Sequence, residues 1–164
     1  MVSEMRIHQI DSSHIGDLIR IADATNLNPW TAAHYLDEIK NPDGIMFRLE
    51  SENSETAGFI VGRIVPSMDG GPAEDAEIYN IGVAFHFQRQ GFGQALINRF
   101  FNACRSRKVR NVWLEVRVSN NAAQQLYGKN GFITVATRKG FYADPLEDGL
   151  LMKCELKYGV LPIN

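Results

Sequence analysis

Apolar and polar positions alternate along EMRIHQI (Glu4–Ile10), which predicts a strand at the start of the chain. The period then changes. Asp11, Ser12 and Ser13 are N-cap candidates, and Ile15, Leu18, Ile19 and Ala22 follow at helical spacing. Asn28-Pro29-Trp30 interrupts the pattern, and TAAHYLDEIKN predicts a second short helix ending before Pro42. IMFRLES and TAGFIVGRIV flank the polar turn ENSE as in a hairpin. SMDGGPAED reads as a loop, and AEIYNIGVAF as a third strand of this group. Gly82 within it predicts a bulge or a close approach to the backbone.

A longer amphipathic helix opens at QRQGFG, with Phe92, Leu96, Phe100 and Ala103 or Cys104 on its apolar face. Arg105, Arg107 and Lys108 sit at its C-terminal end, where the helix dipole favours cations. NVWLEVRV (Asn111–Val118) alternates. Val112, Leu114, Val116 and Val118 share one face, and Trp113, Glu115 and Arg117 the other. Asn120 is placed to cap the helix NAAQQLYGKN, and Gly131 suits a left-handed residue after it. FITVATRK and GLLMKCELK predict two final strands. The order β-α-α-β-β-β-α-β-α-β-β predicts an α/β (α+β) fold with a mixed sheet of about seven strands and helices packed on it.

With 164 residues, 45% hydrophobic and 22% charged, the chain is read as one soluble domain, 1–164. It has no apolar run of spanning length and no secretory h-region. Two cysteines, Cys104 and Cys154, are too few for a disulfide framework or a zinc site. A cytoplasmic protein, without membrane association, fits these features. A net charge of −2 gives no electrostatic case for nucleic acid. His8, His14, His34 and His86 have no metal-ligand spacing, so no metal is expected. The cysteines read as core residues rather than nucleophiles.

The glycine pair Gly91 and Gly93 at a helix start carries the candidate chemistry. The stretch is neither a dinucleotide fingerprint nor a P-loop. It fits a pyrophosphate cradle, with backbone N–H donors and Arg89 nearby. Taken alone, Glu115 reads as a solvated strand residue and Tyr127 as a core-edge residue.

Together, QRQGFG and WLEVRVSNNAAQQLYGKNGF resemble the GCN5-related N-acetyltransferase family, most closely its RimI-type members, which acetylate the N-terminus of a ribosomal protein. The resemblance runs from Asn28 to Lys153. It implies a mixed, mostly antiparallel sheet with about four helices on both faces, and acetyl-CoA as co-substrate. Ile81, Gly82 and Val83 would pair with the pantetheine arm. Gln88, Arg89, Gln90, Gly91, Phe92, Gly93 and Gln94 would form the cradle, and Asn120 would contact the cofactor. Glu115 would be the general base and Tyr127 the general acid. Trp30 and Tyr142 would hold the substrate, a protein N-terminus such as that of a ribosomal protein. The enzyme would be a monomer or homodimer. Two departures stand out: Ala84-Phe85-His86 replaces the usual Asp-Pro approach, and Gly149 replaces an alanine.

Elementary acid–base chemistry favours an N-terminal substrate. An α-amine of pKa ~8 costs roughly 1.4 kcal/mol to deprotonate at pH 7, a lysine amine of pKa ~10.4 roughly 4.6 kcal/mol. The alternatives are a relative acetylating lysine or a small-molecule amine, and a non-catalytic acyl-CoA-binding module. Binding alone requires neither Glu115 nor Tyr127.

Overall fold

The computed structural model describes residues 5–159. The first predicted strand is β1 (Arg6–Gln9); Glu4, its predicted start, lies outside the described residues. The helices are α1 (Ile15–Ala24), α2 (Ala32–Lys40), α3 (Phe92–Ser106) and α4 (Asn121–Lys129). The remaining strands are β2 (Gly44–Glu50), β3 (Thr56–Pro66), β4 (Glu74–Val83), β5 (Asn111–Arg117), β6 (Ile133–Ala143) and β7 (Leu146–Glu155). The element order matches the predicted one.

The seven strands form one sheet in the order β1-β2-β3-β4-β5-β7-β6. Every neighbouring pair is antiparallel except β4–β5. Alternation along β2 sends Met46 to one face and Ile45 and Phe47 to the other. On the first face Ile15, Leu18, Ile21 and Ala22 of α1 and Tyr35 of α2 pack against Met46, Phe59 and Val61. On the second, Leu96, Ile97, Phe100, Phe101 and Cys104 of α3 and Tyr127 of α4 pack against Ile60, Ile78, Leu114 and Val116. Both stripes recur at helical spacing, so burial of one face per helix supplies the main driving force.

Local signals fix the helix starts. Asp11 accepts from Ser13 N and opens a 3-10 turn (Ser12–His14) ahead of α1. Thr31 caps α2, and Asn120 Oδ1 caps α4 by accepting from Ala123 N at 3.1 Å. His14 and His34 complete these caps: the backbone N–H of Asp11 donates to His14 Nδ1, and that of Thr31 to His34 Nδ1. Gly131, at φ 89°, ends α4 as expected.

Four expectations change. β4 begins at Glu74, so the predicted loop ends two residues early. The bulge in β4 lies at Tyr79, because Val61 pairs with Asn80 while Gly62 pairs with Ile78. At Gly82 the other expectation holds, a close approach to the backbone: a Cβ there would lie 2.9 Å from Leu27 and 3.1 Å from Ile21, the side chains that press α1 and its following loop onto β4. Val118 leaves the strand and is 46% exposed. β6 runs on to Ala143, so Phe141 and Tyr142 belong to a strand.

Candidate active site

The β4–β5 ladder has three pairs, Ala76–Val112, Glu77–Trp113 and Ile78–Leu114. Beyond them β4 continues to Val83 and β5 to Arg117 without pairing to each other. The two strands therefore splay, and the β5-facing edge of residues 79–83 is left without a strand partner. Unpaired backbone donors and acceptors at such an edge can receive an extended ligand. A 3-10 turn (Phe85–Phe87) follows β4 and leads into α3, while Asn120 leads from β5 into α4. Both helix N-termini thus lie beyond the carboxyl ends of the two parallel strands, where α/β sheets place ligands.

The N-terminus of α3 is built differently from those of α2 and α4. Its first residue follows Gly91, at φ 84° and ψ 6°, and no side chain among the described residues caps it. The N–H groups of Phe92, Gly93 and Gln94 therefore have no intrahelical acceptor. Gly91 is required by its left-handed backbone, since a Cβ there meets only Met5 Cε at 3.8 Å. Gly93 is constrained by space, with Leu126 Cδ2 at 3.0 Å from a built Cβ. Arg89 is exposed and also has a positive φ, 58°. These features fit an anionic phosphate ligand: open donors, the positive end of a helix dipole and an exposed guanidinium.

The glutamines of the motif mostly brace the turn. Gln88 Nε2 donates to Val83 O at 2.9 Å, and Gln90 Nε2 to His86 O at 2.8 Å. Gln94 exchanges hydrogen bonds with Asn130, tying α3 to the end of α4. The resemblance implied that these residues belong to the cradle; their side chains are engaged within the protein, which leaves their backbone groups as the candidates for ligand contact.

A cavity of about 60 Å³ sits in the splay, lined by Tyr79, Asn80, Ile81, Glu115, Asn120, Tyr127 and Tyr142, among others. Glu115 and Tyr127 approach it from opposite faces of the sheet. Glu115 projects to the α1/α2 side, as its alternation with Leu114 requires, and only 14% of its side chain is exposed. Its Oε1 accepts from Arg138 Nη1, and its Oε2 is buried with no hydrogen-bond partner among the described residues. Tyr127 comes from the α3/α4 side, 6% exposed, with its ring on Phe132. Burial pushes its phenol far above the ordinary range, so it keeps its proton at physiological pH.

A wider cleft of about 430 Å³ opens beside this cavity. One wall is the loop after α1, from Asn26 to Pro29; the other is the β6–β7 hairpin with Phe141, Tyr142, Ala143 and Asp144. Tyr142 lines both spaces, and burial first, then the charge of Glu115, raises its phenol to about 12. Arg117 pins the hairpin, donating to Asp144 O and Pro145 O, pairing with Glu147 and stacking 4.3 Å over the Tyr142 ring. Gly149, where the family resemblance has an alanine, has a packing role. A Cβ there would lie 3.2 Å from both Phe141 and Tyr142, so glycine lets the aromatic pair lie on β7.

Trp30 lines neither space; it packs on His34, Tyr35 and Tyr79 and supports the loop wall from behind. Asn80, missed in the sequence, is buried in the splayed part of β4. Its Nδ2 donates to Asn28 O at 3.4 Å, tying that loop to the sheet. An asparagine inside an otherwise apolar strand was the available signal.

A splayed parallel pair, a glycine-led helix start and an acid and a phenol on one cavity thus lie together at one end of the sheet. The model of the acetyltransferase (GNAT) family matches residues 15–132, and the chain belongs to that family. A [ribosomal protein bS18]-alanine N-acetyltransferase of Haemophilus ducreyi is 31% identical over 143 residues, covering 87% of this chain and 91% of that protein. The crystal structure of the ribosomal-protein-S18-alanine N-acetyltransferase from Escherichia coli has a TM-score of 0.80 at 26% identity. It covers 98% of this chain and 99% of that one. Arabidopsis thaliana NAA60, solved with acetyl-CoA, shares the fold with a TM-score of 0.83 at 21% identity, covering 93% of this chain and 98% of that one.

Proposed function

We propose that this protein transfers the acetyl group of acetyl-CoA to the N-terminal α-amine of a protein, with a ribosomal protein as substrate. The carrying observation is the pairing of Glu115 and Tyr127 on one cavity in the β4–β5 splay. Family membership supports the co-substrate, and the bS18-specific relatives support the substrate class. One acetyltransferase domain over 1–164, acting in the cytoplasm, completes the reading; residues 1–4 and 160–164 lie outside the described structure.

The α3 N-terminus holds the pyrophosphate through its open N–H groups, with Arg89 beside it. The free edge of Ile81, Gly82 and Val83 receives the pantetheine arm. The substrate chain enters through the cleft between the post-α1 loop and the Tyr142 hairpin. Its amine reaches Glu115 Oε2, the one oxygen of that carboxylate without a partner, directly or through a water. The neutral amine attacks the thioester carbon without an acyl-enzyme, because both reactants are held together. Tyr127 hydrogen-bonds the sulfur as charge develops there. Burial keeps it protonated, so it can donate that hydrogen bond, and it gives its proton to sulfur only as the C–S bond breaks, the second N–H proton of the attacking nitrogen restoring the phenol through water.

The decisive experiment offers acetyl-CoA with peptides carrying free N-termini, blocked N-termini or internal lysines. Mass spectrometry locates the acetyl group. Acetylation at the α-amine is expected; acetylation at lysine with a blocked N-terminus would transfer the assignment to a lysine acetyltransferase. Absence of turnover with tight acetyl-CoA binding would favour a binding module.

A further inference from the structure

The cavity in the splay crosses the sheet, and its lining divides by face. On the α3/α4 side it is apolar: Ile78, Ile81, Leu114 and Val116 line it, and all four belong to the core under those helices. The polar lining, Glu115 and Tyr79 among it, lies on the α1/α2 side. The apolar half has a defined end. The β4–β5 ladder closes with the pair Ile78–Leu114, which is the vertex of the splay. These side chains are 5% and 2% exposed. Behind them the row is filled. Ile78 is in register with Gly62 of β3, where the Phe100 ring takes the place of a side chain; a Cβ on Gly62 would lie 2.6 Å from it. Leu114 is in register with the buried Met152 of β7. A group inserted between the strands therefore advances to Ile78 and Leu114 and stops.

We propose that Ile78, with Leu114 beside it, is the stop that sets the length of the transferred acyl group, so that the enzyme selects acetyl-CoA against butyryl-CoA and longer thioesters. This rests on the reading of the splay as the acyl-CoA site. With the pantetheine arm along Ile81, Gly82 and Val83, the acyl group is the leading end of the ligand. Ile78 lies three positions further along β4, and the bulge at Tyr79 shortens that reach. The cavity holds about 60 Å³ and the neighbouring cleft about 430 Å³, so the narrow space serves the acyl group and the wide one the acceptor chain. Protein interiors are packed to crystal density, so each added methylene has to displace buried side chains under α3. The bond changes do not discriminate. For any straight-chain thioester the N–C bond forms as the C–S bond breaks, coenzyme A leaves as the thiol, and the rest of the acyl chain is a spectator. Selection is therefore steric, and Ile78 is a specificity-determining residue in contact with the acyl group.

The test is a competition. The enzyme receives one α-amine peptide with equimolar acetyl-, propionyl- and butyryl-CoA, and mass spectrometry counts the acylated peptides early in the reaction. The product ratio equals the ratio of kcat/KM values and does not depend on how much of the enzyme is active. A methylene that does not fit changes such a ratio by roughly 10-fold or more. The wild-type enzyme should transfer acetyl about 10-fold better than propionyl and about 100-fold better than butyryl. Ile78→Ala should raise the butyryl-to-acetyl ratio about 10-fold or more, and Ile78→Val should raise it by a smaller factor. Val116→Ala enlarges the same apolar half away from the vertex, and its ratio should stay within about threefold of wild type.

A wild-type enzyme that transfers butyryl as well as acetyl overturns the proposal. So does a wild-type ratio in both Ile78 variants. An equal rise in Val116→Ala also overturns it, because total volume and not the vertex would then set the length. Should Ile78→Ala not fold, the ratio is read in Ile78→Val, where a rise is expected and no change overturns the proposal. Transfer to a lysine in place of the α-amine corrects the functional reading, and the ratio is read with that acceptor. With no transfer to any amine the functional reading fails, and the stop is read from calorimetric affinities. Wild type should then bind acetyl-CoA more tightly than butyryl-CoA, and Ile78→Val should narrow the difference; equal affinities in wild type overturn the proposal.

Discussion

The indole N–H of Trp113 donates to Asp75 Oδ2 at 2.9 Å across the one parallel strand pair, at the closed end of the splay. Asp75 is fully buried, and its Oδ1 accepts from Asn111 N and Nδ2, while Met68 N donates to Oδ2. One carboxylate thus holds β5 and the loop before β4 together where the ladder is only three pairs long. Removing it leaves several buried donors unsatisfied, each costing about 1–3 kcal/mol. Asp75→Ala should lose roughly 3 kcal/mol or more in equilibrium denaturant unfolding. Trp113→Phe, which deletes one of the four donors, should lose less.

Much of this architecture was legible in the sequence. Element order followed from periodicity, and the caps at Asp11, Asn120 and Gly131 from residue types with local mechanisms. Asp75 was hidden because its β5 partners lie 36 and 38 residues away, and an Asp closing the stretch SMDGGPAED reads as loop. Gly82 signalled a bulge or a close approach, and the close approach is what sits there; the bulge falls at Tyr79 because strand pairing, not residue type, sets where an extra residue sits. The resemblance motif singled out Glu115 and Tyr127, which the fold brings to one cavity. Their convergence from opposite faces depends on the splay, which no local pattern encodes.

The cradle rests on a backbone conformation at Gly91, so its replacement tests strain rather than bulk. A left-handed conformation costs an L-residue roughly 1–2 kcal/mol. Gly91→Ala should weaken acetyl-CoA binding by about 10-fold in calorimetry, with an unchanged far-ultraviolet spectrum. Gly93→Ala meets only the movable end of Leu126 and should weaken it less. Equal affinity in wild type and Gly91→Ala would place the pyrophosphate elsewhere.

Arg117 touches no reacting group, yet it fixes the hairpin wall of the 430 Å³ cleft through two carbonyls, Glu147 and Tyr142. Arg117→Ala should loosen that wall. Steady-state kinetics should show the peptide KM rising about 10-fold with kcat nearly constant, the pattern of lost uniform binding. Affinity for acetyl-CoA should stay at the wild-type value, because the cradle lies at the other helix. A fall in kcat alone would mean that the hairpin serves chemistry instead of substrate docking.

Tyr127 tests the leaving-group half of the mechanism. The phenylalanine variant keeps the ring that packs on Phe132 and removes only the hydroxyl facing the cavity, so the core should remain filled. A general acid contributes ~10²–10⁴-fold, and Tyr127→Phe should lower kcat by that order with acetyl-CoA affinity nearly intact. The pH dependence adds an independent check. Burial holds the phenol protonated well beyond its ordinary range, so ionisation of Tyr127 should produce no alkaline limb in kcat up to about pH 10. An acyl-CoA analogue with a more acidic thiol needs less help from a proton donor. The deficit of Tyr127→Phe should therefore shrink with such an analogue, while that of Glu115→Gln should not. Equal deficits across both thioesters would remove Tyr127 from the leaving-group step and leave it a packing residue of α4.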